Sequence, residues 1–115
     1  MKSHRVEKAC KLIWRHITEL IHREIKDPRI GFVTITAVES TPDLRSIKVF
    51  FSVLGDNKSK KSATLGLKSA TGYIRREIGQ RVRLRFTPEI QFKLDESIER
   101  GVKISSLLDS IKENV

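Results

Sequence analysis

Apolar residues recur at helical spacing near the start of the chain: Val6, Cys10, Ile13, Ile17, Leu20 or Ile21, and Ile25. Steps of three and four put them on one face, which predicts a long amphipathic helix over about residues 3–26. Asp27 and Pro28 end it, because the residue before a proline is pushed out of the helical region. After Gly31 the period changes to two. Val33, Ile35 and Ala37 point one way and Thr34 and Thr36 the other, the mark of a half-buried strand. Ser40, Thr41, Pro42 and Asp43 form a turn, and Ile47, Val49, Phe51 and Val53 alternate with Lys48, Phe50 and Ser52 as a partner strand. The hairpin's aliphatic face is expected under helices, with the Thr, Lys and Ser face left open.

Gly55 to Lys61 reads as a polar loop. Helical spacing then returns twice, in Leu65, Leu67 and Ala70 and again in Ile74, Ile78 and Val82. Between these two short helices Gly72 stands where a better helix former is wanted, so the spacing predicts a kink or break there. Leu84 to Leu94 reads as a third strand, clearest at Ile90, Phe92 and Leu94, with Pro88 at its entry. A last helix is expected from Ile104, Leu107, Leu108 and Ile111, with Asp95 or Ser97 as its N-cap. No repeat or linker interrupts this order, which describes one α+β domain over residues 1–115.

Composition agrees with a single compact domain, at 38% hydrophobic and 32% charged residues. Cys10 is the only cysteine, so no internal disulfide is expected and a reducing compartment suits the chain. Lys2, His4, Arg5, Glu7 and Lys8 break up any apolar opening run, and no stretch of about 18 apolar residues is present. A cytoplasmic protein without a membrane partner is the expectation.

Charge changes the picture most. The net charge is +9, and the stretch Lys58–Arg85 holds nine cations (Lys58, Lys60, Lys61, Lys68, Arg75, Arg76, Arg81, Arg83 and Arg85) against one acid, Glu77. Concentrated like charge repels itself, so such a segment points to a polyanionic partner, nucleic acid ahead of an anionic membrane or a merely solubilising surface. A second cationic stripe, Lys8, Lys11, Arg15 and His22, lies on the first helix away from its apolar ridge.

Catalytic and metal chemistry find no specific pattern. Gly55-Asp56-Asn57-Lys58-Ser59 only faintly echoes a phosphate loop, lacking the second glycine. Cys10 with His4, His16 and His22 offers no metal-binding spacing, and Asp95, Glu96 and Glu99 read as helix-start acids that favour the dipole. No cofactor, metal or enzymatic activity is therefore expected. Trp14, Tyr73 and five Phe include no basic-aromatic-glycine run, Trp14 reads as a packing residue, and Phe50 is the one open-face aromatic. RNA recognition is then expected to rely on phosphates and shape.

Several ordered segments carry a family likeness. Asp27-Pro28-Arg29-Ile30 precedes the first strand, and Ser69-Ala70-Thr71-Gly72 precedes Ile74-Arg75-Arg76-Glu77. Leu84-Arg85-Phe86-Thr87-Pro88-Glu89-Ile90-Gln91-Phe92 then leads to Asp95. In this the chain resembles the ribosome-binding factor A family.

The resemblance implies a KH-like fold of the type II arrangement, a three-stranded mixed sheet with helices packed on one face. It implies a helix-kink-helix at Ala70, Thr71 and Gly72 in place of the GXXG loop of RNA-binding KH domains. It also implies a monomeric, non-enzymatic assembly factor. That factor would bind the free small (30S) ribosomal subunit, assist late maturation of 16S rRNA near its 5′ end, matter most in the cold, and leave with the help of an assembly GTPase. Lys68, Arg75, Arg76, Arg81, Arg83 and Arg85 are the expected phosphate-binding residues around the kink, with Lys8, Lys11 and Arg15 as auxiliaries. The rival reading is a small basic DNA-binding or nucleoid protein.

Overall fold

A computed structural model describes residues 4–96 of the chain. Helix α1 (His4–Glu19) buries Val6, Cys10, Ile13 and Ile17, the ridge expected from the spacing. It continues through one widened, π-helical turn, Leu20–Glu24, closed by the Ile25 amide donating to the Leu20 carbonyl at 2.9 Å. A π turn inserts one residue into the helical repeat. Leu20 and Ile21 are both buried there, which resolves the choice between them. The chain turns extended at Ile25, just before Asp27 and Pro28.

Strands β1 (Val33–Ser40) and β2 (Ser46–Val53) pair antiparallel, with Val33 opposite Val53 and Ile35 opposite Phe51. The register shifts between Ile35 and Ala37, so Thr36 is an extra residue on β1. Such a bulge reverses which parity faces inward. Val33, Ile35 and Val38 are buried and Ala37 is not, which corrects the simple alternation expected for this strand. The connecting turn is closed by the Thr41 amide donating to the Ser46 carbonyl and the Leu44 amide donating to the Thr41 carbonyl, both at 3.0 Å.

The two short helices expected between Leu65 and Val82 are one continuous helix, α2 (Asn57–Arg81). It begins inside the segment read as a loop, because the Asp56 carboxylate caps it by accepting from the Ser59 amide at 2.8 Å. Gly72 does not break it. The Thr71 hydroxyl donates to the Leu67 carbonyl at 3.0 Å, a back-bond that bends helices without interrupting them.

The glycine that the packing requires in α2 is Gly66. A Cβ there would lie 2.8 Å from Ile30 Cγ1, so the bare backbone lets α2 rest on the turn after α1. Leu65 is correspondingly 57% exposed rather than part of the ridge. At Gly72 a Cβ would meet nothing within 4 Å. Gly72→Ala is therefore expected to stabilise the protein by about 0.5–1 kcal/mol, as glycine costs against alanine inside a helix. Urea unfolding measures it.

Strand β3 (Glu89–Leu94) runs parallel to β2, with Ile90 beside Ile47 and Leu94 beside Phe51. It is shorter than the sequence reading: residues 83–88 form a connecting loop, and strand pairing starts once the Glu89 amide donates to the Arg45 carbonyl at 2.8 Å. The result is an α+β fold with a three-stranded mixed sheet in the order β1-β2-β3. Ile35, Ile47, Val49, Phe51 and Ile90 are buried with the inner ridges of α1 and α2, while Thr34, Lys48, Gln91 and Lys93 are exposed. Both helices thus cover one face. The helix expected around Ile104, Leu107, Leu108 and Ile111 lies outside the described residues.

Candidate nucleic-acid interface

The outer side of α1 and the end of α2 enclose a cleft of about 620 Å3. Its apolar lining is Ala9 and Leu12 from α1, Leu44 from the β1–β2 turn, and Val82 and Leu84 after α2. Around this lining stand Arg5, Lys8, Lys11, Arg15, Arg81 and Arg83, and no carboxylate is among the lining residues. Long cationic side chains lay their methylene stems on apolar surface and keep their charged ends in water. A cleft of this build favours anions, since several cations add their fields over one narrow strip.

The cations differ in how far they are committed elsewhere. Arg81 is held by Glu24 Oε1 at 2.7 Å and Glu77 Oε1 at 3.2 Å, tying the end of α2 to the turn after α1. Tyr73 adds its hydroxyl to the other Glu24 oxygen at 2.9 Å. The Arg81 guanidinium, and after it the Tyr73 hydroxyl, hold the Glu24 carboxyl below the usual carboxylate range. A carboxyl depressed in the folded state contributes stability that is present at neutral pH and lost as pH falls through its folded pKa. Glu24→Gln is therefore expected to lower stability at pH 7 and to flatten its decline in acid, as followed by melting between about pH 7 and pH 3. Lys8, Lys11, Arg15 and Arg83 form no ion pair among the described residues, so their full charge faces the cleft.

Of the residues singled out in the sequence, the structure brings together Lys8, Lys11, Arg15, Arg81 and Arg83. The others lie apart. Lys68 lines a separate hollow between α2 and β3 with Thr64, Thr71, Gln91 and Lys93. Arg75 serves the fold: its Nε donates to the Pro88 carbonyl at 2.9 Å and its terminal nitrogen pairs with Glu89 at 3.2 Å, fixing the entry to β3. Arg76 is exposed on α2, and Arg85 lies in the 83–88 loop with its guanidinium 5.6 Å from the Phe86 ring. Ala70, Thr71 and Gly72 sit mid-helix, away from the cleft.

Two residues escaped the sequence reading. Arg5 continues the α1 stripe three residues before Lys8, so periodicity alone could have found it. Arg45 lies on the β1–β2 turn with its guanidinium 4.1 Å over the Phe86 ring, a meeting that only the fold creates. Phe50, the aromatic expected to be open, is half-buried, while Phe86 is 43% exposed.

Among the described residues, no three His, Cys, Asp or Glu side chains converge to hold a metal, and no helix is long and apolar enough to cross a membrane. Fold and cleft together define a small basic α+β domain that carries a cationic groove on its helical side.

The chain belongs to the ribosome-binding factor A family, whose model matches residues 5–108. It is 50% identical over 113 residues to the ribosome-binding factor A of Halothermothrix orenii, covering 98% of this chain and 93% of that one. It resembles the solution structure of a Thermotoga maritima protein assigned as a ribosome binding factor A, with a TM-score of 0.73 and 32% identity over 86% of this chain and 94% of that one. Its fold is also that of the Thermus thermophilus ribosome binding factor A as fitted into an electron-microscopy map of a 30S complex. That match has a TM-score of 0.60 and 22% identity over 84% of this chain and 97% of that one.

Proposed function

We propose that this protein is a cytoplasmic, non-enzymatic assembly factor that binds the free small (30S) ribosomal subunit by gripping rRNA phosphates in the groove between α1 and the end of α2. The observation that carries this reading is a cleft with no carboxylate in its lining, bearing Lys8, Lys11, Arg15 and Arg83, which form no ion pair among the described residues. Phosphate contacts set position and affinity without reading sequence, which suits a factor whose target is a folded RNA surface. The Thermus thermophilus relative, described in complex with 30S, supports the choice of partner.

Bound there, the protein favours one arrangement of the 16S rRNA near its 5′ end over a mispaired competitor. Mispaired RNA helices open more slowly in the cold, so the need for such a factor rises as temperature falls. It acts as a monomer and leaves with the help of an assembly GTPase.

Sedimentation with free small subunits, free large subunits, joined ribosomes and duplex DNA tests this. The protein is expected to travel with free small subunits and to resist displacement by duplex DNA. Equal retention by DNA would favour a nucleoid role instead.

A further inference from the structure

The loop that leaves the groove carries an exposed aromatic residue in an arginine frame. Leu84 lines the groove, and two residues on Phe86 is 43% exposed with Arg45 4.1 Å and Arg85 5.6 Å from its ring centre. Phe32, Leu54 and Leu65 are more exposed, but Phe86 is the exposed ring that arginines frame. A guanidinium over an aromatic face is attracted by the ring quadrupole, so the pair holds the ring in place while leaving part of it open to a flat partner.

Its surroundings are held in place. Leu44 is buried with a φ of +60°, a left-handed conformation that a branched side chain adopts only when its surroundings impose it. Here the Asp43 carboxylate does so, accepting from the Thr41 hydroxyl at 2.7 Å and the Arg45 amide at 3.1 Å. The Arg45 carbonyl then accepts from the Glu89 amide at 2.8 Å, which joins the turn to the far end of the Phe86 loop. On its other side that loop packs on α2: a Cβ at Gly79 would lie 3.0 Å from Thr87 Oγ1. Among the described residues, the acid that pairs with an arginine of the frame is Asp43, whose carboxylate lies 3.9 Å from Arg45 Nε.

We propose that Phe86, with Arg45 and Arg85, is a stacking platform for an unpaired nucleobase adjoining the RNA held in the groove. The proposal rests on the RNA-binding reading above and adds to it a preference for a junction between paired and single-stranded RNA. Both faces of a base inside a duplex are already stacked, whereas an unpaired base offers one to an aromatic ring and to guanidinium planes. The phosphate of the same nucleotide then falls within reach of Arg83 or Arg85, the cations on either side of Leu84.

Two RNA hairpins of identical stem, one blunt and one with a short single-stranded overhang, test this by fluorescence anisotropy. The protein is expected to bind the overhang hairpin at least about fivefold more tightly, the effect of one stacked base. Phe86→Leu keeps the apolar bulk and removes the π face, so it should abolish that preference while leaving blunt-hairpin affinity unchanged. Phe86→Trp should restore it. A Phe86→Leu protein that keeps the preference overturns the platform, as does a native protein that binds both hairpins equally; the groove reading survives either result. Binding to neither hairpin overturns both readings. If Phe86→Leu loses blunt binding too, Phe86→Trp decides: blunt binding regained together with the preference supports the platform, and any result without the preference overturns it.

Discussion

Replacing Lys8, Lys11, Arg15 and Arg83 together by glutamine is expected to weaken binding to small subunits about a thousandfold at 0.15 M salt. Each phosphate neutralised releases condensed counterions, with a slope near −0.9 per contact on duplex nucleic acid, so four lost contacts near physiological salt amount to roughly three decades. The fold should stand, because the four side chains are exposed and form no ion pair among the described residues. Equilibrium binding to labelled subunits reads the effect. A control variant with Lys48, Lys58, Lys61 and Lys93 changed to glutamine removes the same charge outside the groove. Its affinity should fall less than about tenfold, because exposed charges farther away than a Debye length of about 8 Å are largely screened. Equal losses in the two variants would mean that overall charge, not the groove, attracts the subunit.

The largest loss of stability is expected from Phe51→Ala. Phe51 is fully buried on β2, and its ring meets Phe92 of β3 edge to face at 6.4 Å and 70°. Truncating a buried phenylalanine removes its transfer energy and leaves a cavity, together about 3–5 kcal/mol. That is a large part of the 5–15 kcal/mol typical of a whole domain. Each kcal/mol moves Tm by about 4–8 °C in domains of about 60–100 residues and by less in larger ones, so thermal melting of this chain should show a fall on the order of 10–30 °C. Leu65→Ala is the contrasting case: on the same spacing argument it would be a core residue, yet its exposure makes the change close to neutral.

What was readable in the sequence follows from what periodicity encodes. The ridge of α1 and the alternation of Ile47, Val49 and Phe51 appear as buried residues because each repeats the geometry of its own element. The bulge at Thr36 was not legible, since a single inserted residue changes the inward parity without changing the residue types. Gly66 and Gly72 look alike in sequence. Only the fold shows that the first touches Ile30 and the second touches nothing, so the break was expected at the glycine that needs no accommodation.

The site was legible to a similar degree. Lys8, Lys11 and Arg15 showed themselves as a stripe because they share one helix face. The commitments of Arg75 to Glu89 and of Arg81 to Glu24 join residues distant in the chain and leave no local mark. The charge-dense segment Lys58–Arg85 therefore reads as one cationic block along the chain, whereas the candidate groove takes only Arg81 to Leu84 from it and joins them to α1 and Leu44.

The salt dependence of binding to free small subunits tests the central claim most directly. Between about 0.05 and 0.3 M monovalent salt, five to six engaged phosphates give a slope of log affinity against log salt of roughly −4.5 to −5.5, falling to about −1 to −2 in the four-site glutamine variant. A nearly flat response in the native protein, or an unchanged slope in the variant, would contradict a grip on the RNA backbone by this groove.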